Sequence, residues 1–176
     1  MIEFEQSSRE CHLKRVAGKV MTAARTAPKG RGIDNLAIAC ADGDDLRNLA
    51  KRMKELAAET KMPFFERDAD NILSCFCVVL IGTKISPSGM NEACRLCGFE
   101  SCAAKPADTP CVFNAGDLGI ALGSAASVAA DERVDSRIMF SAGKAALELG
   151  LLGKGVKIAF ALPLSVSGKS PFFDRK

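Results

Sequence analysis

The chain of 176 residues contains no tryptophan, no tyrosine and a single histidine. Its core therefore relies on close backbone approach more than on large amphipathic rings, and a histidine-rich metal site is excluded. It also lacks a long apolar run. The longest, Cys75 to Gly82, falls well short of the ~20 residues that cross a bilayer, and Glu3, Glu5 and Arg9 interrupt any secretory apolar region at the start. Charge of one sign is scarce as well: 24 basic against 21 acidic residues leave a net charge of +3, which demands neither nucleic acid nor an acidic membrane as partner. No P-loop, dinucleotide fingerprint or nucleophile elbow is present. The expectation is a cytoplasmic protein with no nucleic-acid or membrane partner.

What is present is an ordinary globular balance, 48% hydrophobic and 26% charged, at a length that fits one domain spanning residues 1–176. Ser7 to Ala27 reads as a helix, with Leu13, Val16, Ala17, Val20, Met21 and Ala24 at helical spacing, Ser7 and Glu10 placed as a capping box, and Pro28 ending it. A basic, glycine-permissive loop at Lys29, Gly30, Arg31 and Gly32 leads to a strand from Leu36 to Cys40 and a turn at Asp42-Gly43. Asp44 to Thr60 is a second amphipathic helix. Ser74 to Ile81, apolar on both faces, reads as a central strand covered by helices. Two helices over Val112 to Ala130 and Asp135 to Leu149, then a strand from Val156 to Leu164, complete an α+β sandwich.

The strongest signal lies between the central strand and the third helix. Cys94, Cys97, Cys102 and Cys111 fall within 18 residues in a C-x2-C-x4-C-x8-C arrangement, inside an insert at 83–114. In a reducing compartment, clustered cysteines read as metal or redox chemistry before a disulfide framework. Four soft thiolates suit a 4Fe-4S cluster or a tetrahedral zinc; four free thiols are the bland alternative. Cys94 and Cys97 can wrap one side of a metal, Gly98 lets amides approach the sulfurs, Cys102 comes from a following helical turn, and Pro110 positions Cys111. Four thiolates require neutralisation by the metal, by amide dipoles and by Arg95 or Lys105. No histidine lies nearby and no second C-x2-C pair faces the first across a ribbon, which favours iron and sulfur.

Gly82, Thr83, Lys84, Asn91, the cysteines with Gly98 and Phe99, the run Asp117 to Ala125, and Val134 to Arg137 closely resemble a family of small bacterial and archaeal proteins with a ferredoxin-type domain. The cysteine part is also similar to the four-cysteine cluster domain of some redox and corrinoid proteins. A second resemblance covers the ends: Ala23 to Pro28 with Asn35, Leu147 to Leu151, and Ile158 to Leu162 resemble elements of the nitroreductase family. That resemblance implies a flavin-binding α+β sandwich, an intertwined homodimer, and flavin mononucleotide (FMN) held by Arg25, Lys29, Arg31 and Asn35, with Lys169 or Arg175 near the phosphate. The same charges also read as solvated loop residues. Gly119, Gly123, Ala126 and Ala130 give one helix face with almost no side chains, suited to a tight helix or dimer seam, or to a flat cofactor ring.

Asp117 is expected to cap its own helix. Cys11, Cys40, Cys75 and Cys77 are expected to pack, and His12 has no partner that would make it catalytic. The reading that follows is a redox protein, an oxidoreductase if enzymatic, passing electrons to a small acceptor or redox partner. The rival is a non-enzymatic binding or scaffold protein with a structural zinc or cluster.

Overall fold

A computed structural model describes residue 2 and residues 4–173. It holds five helices, α1 (Glu5–Thr26), α2 (Gly43–Thr60), α3 (Phe64–Leu73), α4 (Val112–Asp131) and α5 (Phe140–Glu148), and four strands, β1 (Leu36–Asp42), β2 (Cys77–Lys84), β3 (Asp135–Ser136) and β4 (Val156–Ser165). The strands form one antiparallel sheet in the order β1-β2-β4-β3. β2 lies between β1 and β4 and is buried from Cys77 to Thr83, as its two-faced apolar sequence requires.

The sheet is a sandwich filling. On one face Val79, Ile81 and Leu162 pack with Leu13, Val16 and Val20 of α1 and Leu118, Ala121 and Ala125 of α4. On the other, Val78, Leu80 and Ala161 pack with Leu49 and Met53 of α2, Phe65 and Ile72 of α3, and Ala142 and Ala145 of α5. Small residues bring the layers close. A Cβ on Gly143 would stand 2.2 Å from the Ala159 carbonyl oxygen, so α5 lies directly on the β4 backbone. The expected α+β sandwich is the observed fold.

Several local expectations need correction. α1 starts at Glu5 with Phe4 as N-cap and no side-chain cap, so Ser7 and Glu10 form no capping box; Glu5 pairs with Arg9 instead. α3 escaped the sequence because a polar residue interrupts its apolar stripe: Asp68 is buried, and accepts a 2.6 Å hydrogen bond from the Ser141 hydroxyl. The helix expected from Asp135 starts only at Phe140, because Asp135 and Ser136 pair with β4 and Met139 exchanges backbone hydrogen bonds with Ala161. Sheet-edge pairing overrides helix propensity there. α4 is long and apolar enough to span a bilayer by length and composition, yet it buries Asn114 and Asp117 and packs along α1.

Candidate functional site

The chain between β2 and α4 has one short 3-10 turn, Asn91–Ala93, and otherwise follows turns and loops. Asn91 (φ 47°), Arg95 (φ 49°) and Gly98 (φ 84°) adopt left-handed conformations that fold Cys94 and Cys97 onto one side. The Gly98 amide donates to the Arg95 carbonyl at 3.0 Å, so glycine serves the turn here and its amide is not offered to a sulfur. Cys102 sits in a turn, not a helix.

All four cysteines border one cavity. Cys94, Cys97, Cys102 and Cys111 line a single cavity of about 10 Å³, together with Ser88, Arg95, Phe99 and Lys105 among others. The cavity has room for about one water molecule. Among the described residues no three histidine, cysteine, aspartate or glutamate side chains converge on a single-ion position. The four cysteines thus border the cavity without converging on one point, and seating anything larger than an ion requires the loop to spread.

Cys111 is buried while Cys94, Cys97 and Cys102 are half-buried. It is also the N-cap of α4: its sulfur accepts the Asn114 amide, and the Asn114 side-chain oxygen accepts the Cys111 amide at 3.3 Å and the Ser86 amide at 3.0 Å. Burial acts to raise the Cys111 thiol pKa, but amides of Ser88, Phe113 and Asn114 and the Ser88 hydroxyl outweigh it and hold the thiol below its ordinary value. That hydroxyl is buried with no other partner among the described residues, leaving it to the Cys111 sulfur or to whatever the sulfurs hold.

The basic loop before β1 buttresses this segment. Arg31 donates to the Ser88 carbonyl, Gly30 lies against the Phe113 ring, and the Gly30 amide donates at 2.9 Å to Oδ1 of Asp117. Asp117 therefore caps no part of α4; it ties the loop to α4 from that helix's second turn. Lys29 donates to the carbonyls of Ala24, Arg25 and Ala27, neutralising the C-terminal end of α1. Arg25 pairs with Asp34 at 2.6 Å and donates to the Leu36 carbonyl. Asn35 accepts the Lys84 amide through its backbone.

Each of the three basic residues of the set expected to hold FMN, Arg25, Lys29 and Arg31, has an intramolecular partner. Neither they, Asn35, Gly119 nor Gly123 line the sulfur cavity or the wider surface clefts along α1, beside Cys75 and beside Arg52. Gly119 and Gly123 lie exposed on the outer side of α4, with open space where a Cβ would stand. Lys169 is exposed near the C-terminus, and Arg175 lies outside the described residues.

The remaining cysteines divide. Cys75 and Cys77 are sheltered as expected, whereas Cys11 and Cys40 are exposed and do not pack in the core. Cys40 on β1 and Cys77 on β2 form a thiol pair on one face of the sheet. Cys77 donates to the Cys40 sulfur, which lowers the Cys40 thiol pKa and raises that of Cys77. No sequence pattern announced the Arg31–Ser88 and Asn114–Ser86 contacts, because each joins residues of different loops or elements; the insert at 83–114 located the neighbourhood only.

A family profile described as uncharacterized protein containing a ferredoxin domain (DUF2148) matches residues 107–175, a stretch that includes Cys111 and all of α4. A protein of Archaeoglobus fulgidus is 41% identical over 172 residues, spanning 92% of this chain and 91% of the relative. Among solved structures, a nitroreductase of Lactococcus lactis in complex with nicotinic acid aligns over 98% of this chain and 86% of its own, with TM-score 0.60 and 13% identity. A nitroreductase of Desulfitobacterium hafniense with bound FMN aligns over 96% and 81%, with TM-score 0.59 and 14% identity. At these identities the structural likeness establishes the fold alone. The chain belongs to the family of uncharacterized proteins containing a ferredoxin domain, and it carries a nitroreductase-like fold.

Proposed function

We propose that this protein is an iron-sulfur redox protein in which Cys94, Cys97, Cys102 and Cys111 hold one 4Fe-4S cluster at the edge of a nitroreductase-like sandwich. The observation that carries this reading is that all four cysteines line one cavity. Residues 1–176 act as one domain, with 83–114 an insert devoted to the cluster.

The donor set fits such a group. It is all thiol, it offers amide donors at Cys111 and an otherwise unpartnered hydroxyl at Ser88, and it includes the cationic Lys105 on the cavity wall. A single zinc needs its donors about 2.3 Å from one point. Among the described residues no three donors converge so closely. A cluster presents separate iron corners to separate ligands and does not ask its ligands to meet at one point.

When bound, the cluster supplies one-electron exchange. The protein's part is positional: Cys111 is fixed in the capped end of α4, the Gly30–Asp117 and Arg31–Ser88 contacts brace the loop, and half-buried Cys94, Cys97 and Cys102 leave one side open to a redox partner or small acceptor. Eight unbridged cysteines support a reducing cytoplasm as the location. The exposed, side-chain-poor face of α4 supports a homodimer. No step is assigned to a flavin.

Anaerobic purification with iron, zinc and acid-labile sulfide analysis tests the reading. We expect iron and sulfide in equal amounts with a broad visible absorption bleached by dithionite, all lost in Cys97→Ser. Colourless protein carrying one zinc per chain would support the scaffold alternative, and two sharper visible bands would reveal a flavin.

A further inference from the structure

Lys105 is 8% exposed, and its ammonium donates to two backbone carbonyls, those of Pro106 at 3.2 Å and Thr109. Among the described residues no carboxylate pairs with it, although eleven other salt bridges are formed. An ammonium so deeply placed without an opposite charge is costly unless something neighbouring supplies one. Its neighbour is the sulfur cavity, whose wall it forms with the four cysteines.

Resting on the cluster reading above, we propose that Lys105 is the built-in counter-ion of the group the four sulfurs hold, and that it positions Cys111 at the same time. Its bond to the Thr109 carbonyl anchors the residue two before Cys111, so the same side chain brings a positive charge to the cavity and fixes the approach of the last sulfur. Arg95 also lines the cavity, but it is exposed. A charge in water acts through a dielectric about fourfold higher than one at a protein's partly buried site, so Lys105 outweighs Arg95. Its ammonium favours the more negative, reduced form of the bound group and resists salt screening.

The test uses the full chain in two arms: cadmium alone titrated against the metal-free protein, and protein reconstituted anaerobically with iron and sulfide for a midpoint potential. Lys105→Gln is expected to bind cadmium about tenfold or more weakly and to shift the midpoint potential to more negative values. Lys105→Arg restores both. Lys105→Met, which keeps the buried stem, serves should the glutamine variant fold poorly. Cadmium affinity unchanged in Lys105→Gln, or a potential that does not move, overturns the counter-ion role and leaves a loop staple. Failure of wild-type protein to take up iron and sulfide sinks the cluster reading instead, and the cadmium arm then decides the role of Lys105 by itself.

Discussion

Asn114 and Cys111 are locked to each other in both directions: the Cys111 sulfur receives the Asn114 backbone amide while the Asn114 side-chain oxygen receives the Cys111 backbone amide. The same oxygen takes the Ser86 amide, so both ends of the cysteine segment converge on one buried side chain. Asn114→Ala leaves two amides without partners. We expect a loss of about 2–3 kcal/mol in denaturant unfolding and reduced iron uptake.

Cys111 separates ligation from capping. Serine is a favoured N-cap, so Cys111→Ser should stay within about 0.5 kcal/mol of the parent, whereas Cys111→Ala should lose about 1 kcal/mol. Both should fail to retain the full complement of iron. Equal iron retention in the serine variant would remove Cys111 from the ligand set.

Alkylation with iodoacetamide should rank the other thiols. Burial, helped by Asp135, pushes the Cys75 thiol up to about 12, so only about one molecule in ten thousand carries its thiolate at pH 8. Cys40 is exposed and held below its ordinary value by the hydrogen bond from Cys77. Mass spectrometry should find Cys40 labelled well before Cys75 and Cys77, and Cys77→Ala should slow Cys40.

Acid stability should show the Arg25–Asp34 pair. Burial acts to raise the Asp34 carboxyl pKa, but the Arg25 guanidinium and the Leu36 amide hold it below the ordinary aspartate value. Because the folded pKa is the lower one, its stabilising contribution is complete above an unfolded value of about 3.9 and fades as pH falls through the folded value. Asp34→Asn should lose stability at pH 7 and less at pH 3, with the small size of a half-exposed pair.

Helix α4 offers a test of self-association. A Cβ on Gly123 would meet nothing within 4 Å among the described residues outside its own helix. Gly123→Leu should leave the monomer's unfolding intact while splitting a dimer in sedimentation; an unchanged sedimentation coefficient would move the interface elsewhere. Gly143→Ala is the contrast, because its methyl would enter the β4 backbone and cost about 1–3 kcal/mol.

Regular periodicity made α1, α2, β2 and β4 legible in the sequence, since each presents an uninterrupted apolar stripe or run. α3 was not legible because Asp68 stands in its buried face, where Arg67 beside it and Ser141, 73 residues away, donate to its two carboxylate oxygens. The cysteine spacing announced a site. It could not announce the bracing, because Arg31 meets Ser88 across 57 positions and Gly30 meets Asp117 across 87. The same contacts explain why Arg31, a plausible phosphate ligand in the sequence, is a strut in the fold.

The unequal burial of the four sulfurs sets an order of arrival. Under the cluster reading proposed above, an iron atom delivered to this chain would meet Cys111 already oriented by amides at the N-cap of a 20-residue helix, while Cys94, Cys97 and Cys102 sit on the preceding loop. Insertion would begin at the rigid end and finish by folding the loop over the newcomer, so a chain caught halfway through maturation should be tethered at Cys111 first.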